Sequence, residues 1–137
     1  MSPEKIRLVR QSFAQVTLVA DQAAALFYAK LFARDPAISN LFLSADMAMQ
    51  GRKLLNMIGD AVRLMDRPER LEPVLRALGK RHVAYGVRDT HYGIMGAALL
   101  ETLADALGRD FTPAIGEAWT ALYAYVARTM RMGAAEM

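Results

Sequence analysis

The chain has no cysteine, which excludes disulfides, thiolate metal sites and thiol nucleophiles. A cytoplasmic, reducing setting is the expectation that fits. Long apolar runs are also missing: Asp21 interrupts the longest one, and nothing approaches the length of a membrane span. The opening Met1-Ser2-Pro3-Glu4-Lys5 lacks the basic-then-apolar layout of a signal peptide, so no membrane association is expected. Charge of one sign is not concentrated anywhere. Seventeen basic and 14 acidic residues are interleaved to a net +3, a small surplus rather than a basic patch, and no nucleic-acid partner is expected. Repeats, linkers, low-complexity tracts and the alternating patterns of strands are missing as well.

What is present is helical. The 137 residues make one domain, 1–137, with a modest core. At 54% hydrophobic the chain carries more apolar surface than a small helical domain easily hides, as expected if an apolar prosthetic group covers some of it. Three-and-four spacing recurs throughout. A first helix opens at Pro3 and Glu4, carries Ile6, Val9, Phe13 and Val16, and reaches about Leu18. Asp21 is the expected cap of a second, which holds Ala24, Leu26, Phe27, Tyr28, Leu31 and Phe32 and stops before Pro36. A short tight turn from Pro36 to Phe42 and a polar connection at Ser44 to Asp46 lead to a long helix, Met47 to Met65. Its inward stripe includes Gln50, Leu54, Ala61, Val62 and Met65, with Gln50 the polar oddity. Asp89 or Thr90 is expected to cap a later helix with Tyr92, Met95, Leu99 and Leu103 on one face, ended by Gly108. Thr112 and Pro113 begin the last, and Gly133 to Met137 is expected to fray. The nine methionines read as core gap fillers.

The segment Leu71 to Tyr92 organises the rest. Pro68 suits the first turn of its helix, and Leu71, Leu75, Leu78 and His82 share one face while Glu72, Arg76, Lys80 and Arg81 lie opposite. Gly86 ends the helix. Taken alone, this face permits two readings of His82: a partly buried side chain bonded to a backbone carbonyl, or a neutral imidazole that ligates a metal or haem iron.

The order of the helices, with a short turn after the second, describes the globin arrangement. Leu26-Phe27-Tyr28 with Leu31-Phe32, Pro36 and Leu41-Phe42 resembles the second and third helices of a bacterial globin. Gln50 with Arg52-Lys53-Leu54 resembles the distal helix, and Gly79-Lys80-Arg81-His82 with Tyr85-Gly86-Val87 the proximal one. His91-Tyr92 with Gly96 and Leu99-Leu100, then Phe111-Thr112-Pro113 with Ala118-Trp119 and Leu122-Tyr123, complete the likeness. It is to single-domain bacterial haemoglobins, the haem domain of flavohaemoglobins and neuroglobin-like proteins. An all-α globin fold of six to eight helices around a haem pocket is therefore expected.

The resemblance implies haem b as cofactor, with His82 as the iron ligand. Phe42 would pack flat on the haem, with Leu54, Leu75, Leu78, Val87, Met95 and Tyr123 as apolar walls, and Lys53, Arg81 or Arg88 near the propionates. Tyr28 and Gln50 form the distal pair, and donors there strengthen binding of a ligand that carries partial negative charge. Gln50 in place of a histidine also argues against coordination by two histidines. His91 lies off the apolar stripe and is expected to face outward. In flavohaemoglobins a tyrosine and a glutamate polarise the proximal histidine. Tyr92 matches the tyrosine, but alignment from Trp119 places Ala134 at the glutamate position, with Glu136 two residues later. The chain also stops where flavin and nicotinamide domains would begin.

The function implied is reversible binding of diatomic gases (dioxygen, nitric oxide, carbon monoxide) for oxygen delivery or nitric oxide scavenging. Nitric oxide dioxygenase turnover would draw on a separate reductase, and the protein would be a monomer or homodimer. A haem-free globin-fold signalling module, and a haem sensor or peroxidase-like protein, are the alternatives.

Overall fold

Four of the five prolines open helical elements, where the missing N–H costs nothing, and short polar side chains cap most of the same starts. The computed structural model describes residues 1–136. It contains α1 (Pro3–Thr17), α2 (Ala20–Arg34), α3 (Met47–Leu64), α4 (Pro68–Ala84), α5 (His91–Leu107) and α6 (Pro113–Ala135), with tight turns at Pro36–Phe42 and Gly108–Asp110. Among the described residues there is no strand, and no single helix is long and apolar enough to cross a membrane. Ser2 accepts the Lys5 N–H, Asp46 accepts those of Ala48 and Met49, and Thr112 accepts that of Ile115. Gly86 and Gly108, at φ +96° and +55°, supply the positive φ at two helix ends.

Four expectations need correction. Asp21 does not cap α2, which begins at Ala20 after an uncapped Val19 and a 101° turn from α1. Neither Asp89 nor Thr90 caps α5 by its side chain; the His91 Nδ1 accepts the Arg88 N–H at 2.9 Å instead. The tail does not fray at Gly133: α6 continues to Ala135, Gly133 is buried, and Glu136 pairs with Arg76 and Lys80 of α4. Met137 lies outside the described residues. The methionines are divided, for Met65 and Met130 fill the core while Met47, Met49 and Met132 are exposed.

The core falls into two apolar clusters. One gathers Val9, Leu71, Leu75, Trp119 and Leu122, and the other Phe27, Tyr28, Leu31, Ile38 and Ala98. In the first, the buried Trp119 indole donates to Ser12 Oγ at 2.9 Å, and that hydroxyl donates to the Leu8 carbonyl at 2.7 Å. Ser12→Ala leaves a buried N–H without a partner, so urea unfolding should show a loss of about 1–3 kcal/mol. A loss below about 0.5 kcal/mol would mean that the indole finds another acceptor.

Small residues set how closely the helices cross. A Cβ on Gly51 of α3 would lie 2.9 Å from the Ala24 Cβ of α2. A Cβ on Gly79 of α4 would collide with the Met130 carbonyl of α6, and one on Gly133 of α6 with the Arg76 carbonyl of α4. These contacts position the candidate site residues, for Tyr28 lies one turn beyond Ala24, Gln50 adjoins Gly51, and His82 lies three residues beyond Gly79.

Candidate functional site

The last turn of α4 carries His82, half-buried, with Nδ1 2.9 Å from the Leu78 carbonyl oxygen. With its proton on Nδ1 the ring donates to that carbonyl, which fixes its orientation and leaves the Nε2 lone pair free. Burial pushes the imidazole pKa down from its ordinary value, opposed by the Leu78 carbonyl and aided by the neighbouring Arg81. Desolvation thus favours the neutral, ligating form. After the helix, Val87 donates its N–H to the His82 carbonyl at 2.9 Å, and a Cβ on Gly86 would lie 3.0 Å from the Leu41 side chain. The end of α4 therefore abuts the Pro36–Phe42 turn.

On that side Tyr28 is 7% exposed and held by three rings. Phe27 and Phe42 meet it edge-on at 5.1 and 5.4 Å, and Phe32 lies tilted at 6.0 Å. Its hydroxyl faces the Gln50 side chain: burial raises the phenol pKa and Gln50 opposes the rise. The phenol keeps its proton and remains a donor. Tyr28, Gln50 and Phe42 are thus brought together.

The wall candidates divide between the two clusters. Leu78 and Val87 pack against the first, and Phe42, Leu54 and Met95 against the second; all five are half-buried, and only Leu75 is fully buried. Tyr123 is tied elsewhere. Its ring fills the space over Gly96, where a Cβ would lie 2.5 Å from Cε2, and its hydroxyl donates to the Tyr92 carbonyl at 2.6 Å. Burial pushes the Tyr123 pKa far up, and the bond to the Tyr92 carbonyl makes the side chain a strut between α6 and α5.

Tyr92 is 4% exposed. The Arg131 guanidinium lies 5.0 Å over its ring and pairs with Asp89 at 2.7 Å. The charged groups facing Tyr92 are therefore Arg131 and Asp89, while Glu136 is engaged by α4. Lys53, Arg81 and Arg88 are exposed, and among the described residues none has an ion-pair partner. No three acidic, histidine or cysteine side chains converge on a metal site among the described residues. Sequence reasoning missed the Arg131–Asp89 pair and the glycine crossings; Gly79 in the proximal motif was the one visible signal.

A family model described as Globin matches residues 25–130. The chain is 29% identical over 129 residues to a flavohemoprotein of Rhodopirellula baltica, covering 93% of this chain and 32% of that protein. It is 30% identical over 132 residues to a flavohemoprotein of Deinococcus radiodurans, covering 95% and 33%. It thus spans about a third of the length of these relatives. A solved structure entitled "hexacoordinated heme protein from anhydrobiotic tardigrade" superposes with a TM-score of 0.89 at 16% identity, over 98% of this chain and 95% of that one.

Proposed function

The chain belongs to the globin family, and on that premise we propose that it is one globin domain that holds haem b through His82 and binds diatomic gases reversibly. The observation that carries the reading is the His82 ring, with Nδ1 committed to the Leu78 carbonyl and burial keeping it neutral. That donor fits a haem, and so do the half-buried Phe42, Leu54, Leu78, Val87 and Met95, whose partly exposed apolar surface suits a flat apolar group. Lys53, Arg81 and Arg88, without ion-pair partners among the described residues, supply cations suited to carboxylate groups at its edge. When bound, haem supplies an iron centre that takes up dioxygen, nitric oxide or carbon monoxide.

The chain's own residues then decide how firmly a gas is held. Tyr28 donates from a phenol that keeps its proton, and Gln50 adds an amide donor beside it. Aromatic packing around Tyr28 excludes water from the same place. Gln50 cannot transfer a proton, which favours binding over peroxidase-like chemistry. The proposed roles are oxygen binding and delivery or nitric oxide scavenging in the cytoplasm, with repeated scavenging dependent on an electron-transfer partner of reductase type.

A Soret band in the purified protein is the first expected result. The second concerns Tyr28. A hydrogen bond to a charged acceptor is worth about 1.5–3 kcal/mol, and about 1.4 kcal/mol is tenfold. Stopped-flow dioxygen release from Tyr28→Phe should therefore be about tenfold faster or more, with the carbonyl spectrum retained. A change under roughly twofold, about 0.4 kcal/mol, would remove Tyr28 from ligand stabilisation.

A further inference from the structure

Two acid-free stretches flank the junction where the Pro36–Phe42 turn meets the loop after α4. Residues 47–59 and 73–88 contain no aspartate or glutamate, and the Leu41 side chain of the turn abuts Gly86 of the loop. On α3, Arg52 and Lys53 lie one turn beyond Met49, and Arg81 lies one turn before Tyr85, with Arg88 three residues after it. Among the described residues none of these four cations has an ion-pair partner. Nearby carboxylates are engaged: Asp46 caps α3 through the N–H groups of Ala48 and Met49, and Asp89 pairs with Arg131. Elsewhere unpaired cations alternate with acids, Arg67 and Arg70 with Glu69, and Arg109 with Asp110.

Apolar side chains stand out from the same region. Leu43 is 81% and Tyr85 61% exposed, and Met47 and Met49 are exposed as well. None of them is a candidate haem wall. A protein partner would need a pocket shaped for each projecting side chain, whereas a lipid surface yields to them, and tyrosine is favoured at the level of the headgroups. Cations bordering exposed apolar side chains are the pattern of a face that lies on an anionic bilayer. Adsorption to one leaflet needs no membrane-spanning helix.

We propose that this face adsorbs to a membrane surface rich in anionic lipid, with Leu43 and Tyr85 among the headgroups and Arg52, Lys53, Arg81 and Arg88 against their charge. The cytoplasmic leaflet supplies such lipid. On the reading of His82 as haem ligand, Lys53, Arg81 and Arg88 also serve the edge of the cofactor, and adsorption brings the gas site to the hydrocarbon into which apolar gases partition. That consequence rests on the haem reading; adsorption itself does not, and Arg52 and Leu43 have no part in the haem site.

Co-sedimentation of the full chain with vesicles of phosphatidylglycerol and phosphatidylcholine in equal parts is the test, read by protein in the pellet. The native protein binds these vesicles and not phosphatidylcholine alone. Binding falls about tenfold or more between about 0.1 and about 1 M salt, as the screening length shrinks from about 10 to about 3 Å. A cation near an anionic surface is worth about fivefold in partitioning, so Arg52→Ala weakens binding by about that factor. Leu43→Ser weakens it about threefold or more, while Leu18→Ser, at a side chain equally exposed on the α1–α2 junction, leaves it unchanged. A native chain that ignores the anionic vesicles overturns the proposal, and its retention on immobilised poly-glutamate would then assign the cations to an acidic protein. Equal binding to both kinds of vesicle overturns it too, as does Leu43→Ser binding no more weakly than Leu18→Ser. Pigment does not enter these readouts, so the result stands apart from the reading of His82.

Discussion

His82→Ala is expected to yield a colourless protein. Removing even the hydrogen-bond partner of a metal-bound histidine costs about 10–100-fold in metal affinity, so removal of the ligand itself should exceed that range. Hemin titration followed at the Soret band measures the loss directly. The control is His91→Ala: His91 Nδ1 serves only the Arg88 N–H at the start of α5, so pigment content should match the native protein. Full pigment and undiminished gas uptake in His82→Ala would end the haem reading. A haem-free preparation of the native chain in excess hemin would do the same.

Gly79→Ala should be nearly as damaging, through a backbone effect. A methyl group there meets the Met130 carbonyl of α6, which cannot rotate away as a side chain end can. Overpacking costs about 1–3 kcal/mol and sometimes more, and a fixed carbonyl places this site at the upper end. Urea unfolding should show a loss of about 3 kcal/mol, and hemin affinity should fall with it, because α4 must move to make room and carries His82 along. Gly93→Ala provides the opposite case. Nothing lies within 4 Å of a Cβ at that position of α5, so the substitution should raise stability by up to about 1 kcal/mol. If both glycines respond alike, close approach is not what Gly79 provides.

Helix order and most boundaries could be read from spacing, proline and glycine, because those signals are local. His82 stood out because three leucines share its face, and the Leu78 carbonyl that orients it lies one turn back on the same helix. The Tyr28–Gln50 pairing could be read only through the family likeness, since the two residues are 22 positions apart and meet through the Ala24–Gly51 crossing. The crossings were illegible for a related reason. A glycine in a helical pattern looks like a weak helix former until the partner backbone is in place, and for Gly79 that partner is 51 residues away. The tail was misread because its anchor, Glu136 on Arg76 and Lys80, depends on a neighbour that the local sequence does not reveal.

The junction of α2 with α3 has a consequence for how such a molecule can diversify. Ala24 and Gly51 set how closely the two helices approach at their crossing, and that contact uses neither Tyr28 nor Gln50. A conservative exchange at either position, such as Tyr28→Phe, leaves that crossing intact. On the proposed reading, preference among gases would then be adjustable in small heritable steps while the helix crossing beneath stays constant.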